Sequence, residues 1–233
     1  MKKMLLPCLV LLLLMTGCKE TEPENITVVE EDTFRYLALG DSYTIGESVA
    51  PAMRWPVQLV DSLRKTDVKI EDPRIIATTG WTTQDLLKAM DDQLNNEKFD
   101  LVSVLIGVNN QYQGKSLTAY EQDLHEIFER AIARSEEGAA GVFAVSIPDY
   151  GATPFGASRE EEIGKEIDEF NEVFKKIASE YNIEYFNITP ISRRAKEEPE
   201  LVAEDGLHPS GEMYKQWVDL IFNDVKAILA PKD

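Results

Sequence analysis

Residues 36–44 read YLALGDSYT, an apolar run that ends at a glycine and passes directly into polar residues. A short continuous apolar run such as Tyr36–Leu39 predicts a strand that is buried on both faces. The Gly40-Asp41-Ser42 sequence that follows is typical of a turn into a helix, because Asp and Ser are favoured at helix N-caps. The stretch therefore predicts a buried strand, a tight turn and a helix, and this pattern recurs along the chain.

Four further apolar runs predict strands, at Arg74–Ala77, Leu101–Ile106, Gly141–Ile147 and Glu184–Ile188. Stretches of helical period lie between and after them, at 53–65, 82–95, 117–136, 159–181 and 210–229. Buried strands that alternate with amphipathic helices form a parallel sheet with helices on both faces. The sequence therefore predicts one domain over residues 34–233, a three-layer α/β/α sandwich with a five-stranded parallel sheet.

The chain is strongly acidic: its 233 residues include 24 Lys and Arg against 42 Asp and Glu, for a formal charge of −18. A nucleic-acid partner is excluded because phosphate backbones bind basic surfaces. A polybasic membrane-docking face is also excluded, because anionic lipid headgroups bind basic surfaces. Nothing in the sequence specifies an oligomeric state.

The N-terminus carries a targeting signal. Lys2 and Lys3 precede an apolar run of 12 residues, Met4–Met15, which is too short to span a bilayer but typical of a signal peptide. The end of this segment, MTGC at 15–18, resembles a bacterial lipobox, with an ordinary secretory signal as the alternative. We expect a signal peptide at 1–17, a lipid anchor on Cys18 and an acidic tether over 18–33. A membrane lipoprotein of the cell envelope is the predicted location, on the periplasmic or cell-surface face.

Four strand-to-helix junctions contain residues suited to catalysis: GDSYT (40–44), TGWTT (79–83), GVNN (107–110) and DGLHP (205–209). In an open parallel sheet the functional residues follow the carboxyl ends of the strands, so these segments are expected to converge. His208 lies three residues after Asp205, a spacing that lets the carboxylate orient the imidazole. His125 falls in the middle of a predicted helix and is expected to be an ordinary surface residue.

The four segments, in this order, resemble the blocks of the SGNH (GDSL-type) esterase/lipase family. The resemblance implies a flavodoxin-like SGNH hydrolase fold, with Ser42 as nucleophile, His208 as base and Asp205 as its partner. It also implies an oxyanion hole formed by the backbone N–H groups of Ser42 and Gly80 and the side-chain amide of Asn109. Taken alone, Ser42 could be an N-cap, and Gly80 and Asn109 could be turn residues. Asn110 departs from the family, which commonly has Asp there.

The resemblance implies a serine esterase that hydrolyses short-acyl esters through an acyl-enzyme, with acetyl groups on glycans as one candidate substrate. No cofactor is expected and no metal, because zinc needs three or four ligands and the chain has only two histidines. The loop at 148–156 is expected to form a cleft wall with Trp81 and Tyr112, although these aromatic residues could equally belong to the core. Two alternatives remain open: an acyltransferase with the same triad, and a glycan-binding lipoprotein with a vestigial site.

Overall fold

The structure, a computed structural model, describes residues 33–230. Its centre is a five-stranded parallel sheet in the order β2-β1-β3-β4-β5. The strands are β1 (Tyr36–Gly40), β2 (Arg74–Ala77), β3 (Leu101–Leu105), β4 (Val142–Val145) and β5 (Glu184–Phe186). Gly40, the last residue of β1, pairs with Ala77 of β2 and with Leu105 of β3. The carboxyl ends of the three strands are therefore level, and the loops that follow them begin side by side.

Eight α-helices connect or follow the strands in the described chain. They are α1 (Ser42–Ile45), α2 (Trp55–Arg64), α3 (Thr83–Gln93), α4 (Val108–Tyr112), α5 (Leu117–Arg134), α6 (Glu160–Glu180), α7 (Thr189–Arg193) and α8 (Gly211–Ile228). Short 3₁₀ helices lie at Pro51–Met53, Gly138–Gly141, Tyr150–Ala152, Ala157–Arg159, Arg194–Lys196 and Pro199–Leu201. None of the described helices combines the length and the apolar character needed to cross a bilayer.

The helices form two layers, with α2 packed against α8, and α5 packed against both α3 and α6. Aromatic side chains join these layers to the sheet. Trp55 of α2 meets Phe143 of β4 edge-on, with ring centroids 6.3 Å apart. On the other side, Phe174 of α6 meets Tyr185 of β5 edge-on, with ring centroids 5.9 Å apart. The predicted three-layer α/β/α sandwich with a five-stranded parallel sheet is confirmed.

The predicted elements match the observed ones closely, and β2 has the predicted bounds. β4 is shorter than predicted because Gly141 ends a 3₁₀ turn and the backbone of Ile147 bonds to a side chain. Asn171 Oδ1 accepts from the N–H of Ile147, and Asn171 Nδ2 donates to its carbonyl, at 2.8 and 3.0 Å. β5 ends before Ile188 because that residue is the N-cap of α7.

The predicted signal peptide, Cys18 and all of the tether except residue 33 lie outside the described residues.

Candidate active site

Ser42 is the first residue of α1 and follows β1 after a single intervening residue. The tight connection depends on Gly40, where a Cβ would lie 2.2 Å from Thr44 Oγ1 and 2.5 Å from the carbonyl oxygen of Leu105. Only a residue without a side chain lets α1 begin directly against β3. Ser42 is thereby held at the carboxyl edge of the sheet, between its two central strands.

Asp41 is fully buried and is the N-cap of α1, where its Oδ1 accepts a hydrogen bond of 3.0 Å from the N–H of Tyr43. Its Oδ2 is also buried and has no hydrogen-bond partner within the described chain. Burial raises the pKa of Asp41 to about 7, although the bond from Tyr43 acts in the opposite direction. The sequence analysis gave Asp41 no catalytic role, and its position as a helix cap agrees with that.

His208 and Asp205 form a tight pair. Nδ1 of His208 lies 2.6 Å from Oδ2 of Asp205, and Asp205 Oδ1 accepts from the backbone N–H groups of Leu207 and His208, each at 2.9 Å. Partial burial would raise the pKa of Asp205, but its hydrogen bonds, first that from Ser48 and then those of His208, outweigh this effect and hold the pKa well below its usual range. An ionised carboxylate at Nδ1 fixes the imidazole so that Nε2 is the basic nitrogen.

Ser48 and Glu47, which the sequence analysis did not select, connect three of the site loops. Ser48 Oγ donates to Asp205 Oδ2 at 2.6 Å. The hydroxyl of Thr79, next to Gly80, donates to a carboxylate oxygen of Glu47. Ser48 has a φ of +63°, a left-handed conformation that is uncommon for residues other than glycine. No local sequence signal marks these contacts, because each partner is distant in sequence.

The three predicted oxyanion donors lie around one cavity, which Ser42, Gly80 and Asn109 all line. Asn109 Nδ2 donates one hydrogen bond, of 2.9 Å, to the carbonyl oxygen of Trp81, and this bond orients the amide. Its second N–H is free of partners in the described chain, as are the backbone N–H groups of Ser42 and Gly80. Gly80 has a φ of +87°, which fits the turn after β2. All three residues that carry these donors border the same cavity.

Behind these donors, a buried polar network joins the loop after β2 to the loop after β3. Asn110 Oδ1 accepts from Thr83 N at 3.0 Å, and Asn110 Nδ2 donates to Thr83 Oγ1 at 2.7 Å. The Thr83 hydroxyl donates in turn to Asp123 Oδ2 on α5. Asn110 therefore connects the two loops through buried hydrogen bonds and does not line the cavity. Asp123 supplies the carboxylate of this network.

His208 lines the same cavity as Ser42, and its ring packs against Tyr43 with centroids 5.3 Å apart. Ser42 Oγ and His208 Nε2 make no direct hydrogen bond in the described chain. Bonds between a nucleophile and its base are often loose before substrate binds. The cavity has a volume of about 190 Å³, below the usual range for drug-sized ligands, and opens to solvent. It has room for a small group beside the serine.

Aromatic side chains form the outer wall of the cavity. Tyr112 and Phe155 are both mostly exposed, and each lies 6.2 Å from the ring of buried Tyr150. The loop at 148–156 is thus a cleft wall, as expected. For Trp81 the core alternative holds: it packs against the hydrophobic core, and its carbonyl oxygen accepts the hydrogen bond from Asn109.

Two other places carry polar groups that could be mistaken for a site. An open groove of about 990 Å³ lies beside Asp149, but each of its four cationic side chains is paired with a carboxylate; Arg193 Nε, for example, lies 2.8 Å from Asp149 Oδ2. His125 lies on α5, where its Nδ1 is 3.1 Å from the hydroxyl of Tyr181 and its Nε2 is 3.9 Å from Glu180. The described residues contain no cluster of His, Cys, Asp and Glu that could hold a metal ion.

Comparison with known proteins identifies the family of the chain. Residues 38–216 match the sequence model of the GDSL-like lipase/acylhydrolase family. The fold is similar to that of a lipase/acylhydrolase from Enterococcus faecalis (TM-score 0.65, 23% identity, covering 86% of this chain and 100% of that chain).

Two further solved structures share the fold at lower identity. A psychrotrophic esterase from Pseudoalteromonas sp. gives a TM-score of 0.65 at 18% identity, covering 84% of this chain and 98% of that chain. An acetyl xylan esterase gives 0.65 at 16% identity, covering 82% and 99%. No curated protein matches the sequence.

Proposed function

The chain belongs to the GDSL-like lipase/acylhydrolase family and is an ester hydrolase; from this premise we propose that it is a serine esterase acting through an acyl-enzyme on Ser42. The observation that carries the proposal is the single cavity lined by Ser42, His208 and two of the predicted oxyanion donors, Gly80 and Asn109. The Asp205–His208 pair supports a role of His208 as general base.

In the acylation step, the Ser42 hydroxyl attacks the ester carbonyl carbon while His208 Nε2 takes its proton. The carbonyl oxygen becomes an oxyanion that accepts hydrogen bonds from Ser42 N, Gly80 N and Asn109 Nδ2. The tetrahedral intermediate collapses, its bond to the alcohol oxygen breaks, and His208 gives the proton to that leaving oxygen. The ionised Asp205 stabilises the imidazolium during these transfers.

In deacylation, His208 removes a proton from water as the water oxygen attacks the acyl carbonyl carbon of the Ser42 ester. The same three donors hold the second oxyanion. The bond between Ser42 Oγ and the acyl carbon then breaks, His208 returns the proton to Ser42, and the carboxylic acid leaves. This cycle needs no metal and no organic cofactor.

The cavity volume supports a short acyl group, with acetyl as the first choice, because about 190 Å³ has little room for a long chain beside the alcohol portion. The fold similarity to an acetyl xylan esterase is consistent with acetylated glycans as substrates. We also propose that Cys18 carries a lipid and keeps the enzyme in the cell envelope. A Cys18→Ser variant should then leave the membrane fraction, and its retention there would contradict the anchor.

The proposed chemistry is tested by labelling the protein with a fluorophosphonate probe and by turnover of short p-nitrophenyl esters. Both should be lost in Ser42→Ala and retained in Ser179→Ala, an exposed helix serine that provides a matched control. A folded wild-type protein that neither labels nor turns over ester would contradict the proposal. Product analysis with an added sugar acceptor distinguishes hydrolysis from acyl transfer.

A further inference from the structure

Two aromatic side chains at the mouth of the cavity are not used by the chemistry above. In the described chain, four large hydrophobic side chains are exposed: Met53, Tyr112, Phe155 and Leu220. Two of these, Tyr112 and Phe155, line the cavity that contains Ser42. Their rings lie 6.2 Å apart, tilted by 43°. Exposed apolar groups concentrated at a cleft mark a contact surface for a ligand.

The position of Phe155 assigns this surface to one half of the ester. Its backbone N–H donates to the carbonyl oxygen of Gly206 at 3.0 Å, which ties Phe155 to the loop that holds His208. His208 must protonate the leaving alcohol, so the alcohol leaves on the His208 side of Ser42. The oxyanion donors, Gly80 and Asn109, hold the carbonyl oxygen. Phe155 is therefore placed to contact the alcohol portion of the substrate.

The chemical character of the wall restricts what the alcohol portion can be. None of the residues lining the cavity is Asp, Glu, Lys or Arg, so no ionised partner awaits a charged substrate group. The net charge of −18 further disfavours an anionic substrate. A flat aromatic face carries partial negative charge and suits the weakly positive C–H face of a six-membered ring. The Tyr112 hydroxyl adds a donor and an acceptor for ring hydroxyls.

We propose that Phe155 and Tyr112 form a stacking platform for the alcohol portion of the substrate, and that this portion is an uncharged pyranose ring. The inference rests on the proposed esterase function and deepens it by naming the substrate class. An aryl alcohol would present a flat ring as well, and it is treated as a separate outcome of the test. A flexible alkyl alcohol has no such face and would gain least from the platform.

The test compares kcat/KM of the full chain for three acetate esters: a monoacetylated methyl xyloside, phenyl acetate and ethyl acetate. In Phe155→Ala the ratio of kcat/KM for the xyloside to that for ethyl acetate should fall about tenfold, mainly through KM; this corresponds to about 1.4 kcal/mol, near the upper end for one aromatic contact. Phe155→Tyr should keep the wild-type ratio. Phe155→Leu preserves apolar bulk without a flat face and should lower the ratio as Phe155→Ala does.

Leu220→Ala provides the control, because Leu220 is about equally exposed but lies on α8 and does not line the cavity. An unchanged ratio in both Phe155→Ala and Phe155→Leu would overturn the platform. A fall confined to phenyl acetate would overturn the assignment to a sugar. Failure of the esterase itself is distinguishable, since it would abolish turnover of all three esters by the wild-type protein.

Discussion

Ser48 Oγ donates a hydrogen bond to Asp205 Oδ2 at 2.6 Å, across a separation of 157 residues. Asp205 Oδ2 also lies 2.6 Å from His208 Nδ1. The carboxylate that orients the imidazole is thus itself held by a hydroxyl from the loop after α1. This loop also contacts the turn at Gly80 through the bond between Thr79 and Glu47. The same loop therefore contacts both the partner of the proposed base and the residue next to one proposed oxyanion donor.

Removal of this bond should weaken catalysis without removing any reacting group. In Ser48→Ala we expect kcat/KM to fall roughly 3- to 10-fold, which corresponds to about 0.7–1.4 kcal/mol, the net value of one typical hydrogen bond, because this bond is exposed to solvent. Ser48→Gly relieves the left-handed backbone but also loses the hydroxyl. If Ser48→Gly had wild-type activity, the loss of the hydrogen bond could not explain a lower activity of Ser48→Ala.

The amide of Asn109 should act on the transition state and not on substrate binding. We expect Asn109→Ala to lower kcat by roughly 10²- to 10³-fold with little change in KM, as for other single oxyanion donors. Asn109→Asp keeps the size of the side chain but has no N–H, so it should lose as much. Steady-state kinetics with a short p-nitrophenyl ester measure both effects. A kcat near that of the wild type in Asn109→Asp would contradict the assignment.

The network behind the site predicts a coupled pair of substitutions. Asn110→Asp would place a second carboxylate beside the Thr83 hydroxyl, whose one hydrogen already goes to Asp123, and should lower the free energy of unfolding by about 2 kcal/mol. Adding Asp123→Asn should restore part of this loss, because Thr83 can then donate to residue 110 and accept from residue 123. Urea unfolding of the wild type, both single variants and the double variant measures the coupling. Simple additivity of the two losses would count against the network.

Asp41 should make stability fall as pH rises toward neutrality. Burial raises its pKa to about 7 from an ordinary value of 3.8, so between about pH 4 and pH 7 the folded protein keeps a proton that the unfolded chain has released. In this range the free energy of unfolding decreases with rising pH, by at most about 1.4 kcal/mol per pH unit. Asp41→Asn keeps an oxygen for the Tyr43 N–H and should remove this contribution. Equal pH slopes for the two proteins in urea unfolding would show that Asp41 does not titrate there.

The second histidine should be dispensable for catalysis. His125 contacts Glu180, the last residue of α6, and Tyr181, which follows it, and it lies on a helix face away from the cavity. We expect His125→Ala to leave kcat/KM within about twofold of the wild type and to change the free energy of unfolding by about 0.5 kcal/mol or less, as at most surface positions. A large loss of activity in this variant would require a different assignment of the base.

Local pattern predicted most of the fold because apolar runs and helical periods are properties of neighbouring residues. The short helices α4 and α7 were not predicted, because five residues are too few to show a helical period. The site was predictable wherever a motif joined residues close in sequence, as with Asp205 and His208. Ser48 and Asp123 were not, since their roles come from partners on distant loops and helices. For Trp81 the sequence left the choice between cleft wall and core open, because residue type alone does not say which way a ring turns.

Gly40 has no chemical role, yet the geometry around it leaves no space for even one methyl group. An alanine there would have to push α1 away from β3, and the hydroxyl at 42 would separate from the amide at 109 although both were still present. Gly40→Ala could thus abolish activity although the added methyl group touches no reacting atom. Any laboratory selection that preserves activity in this protein should accordingly leave position 40 untouched, while tolerating exchange at most exposed helix residues.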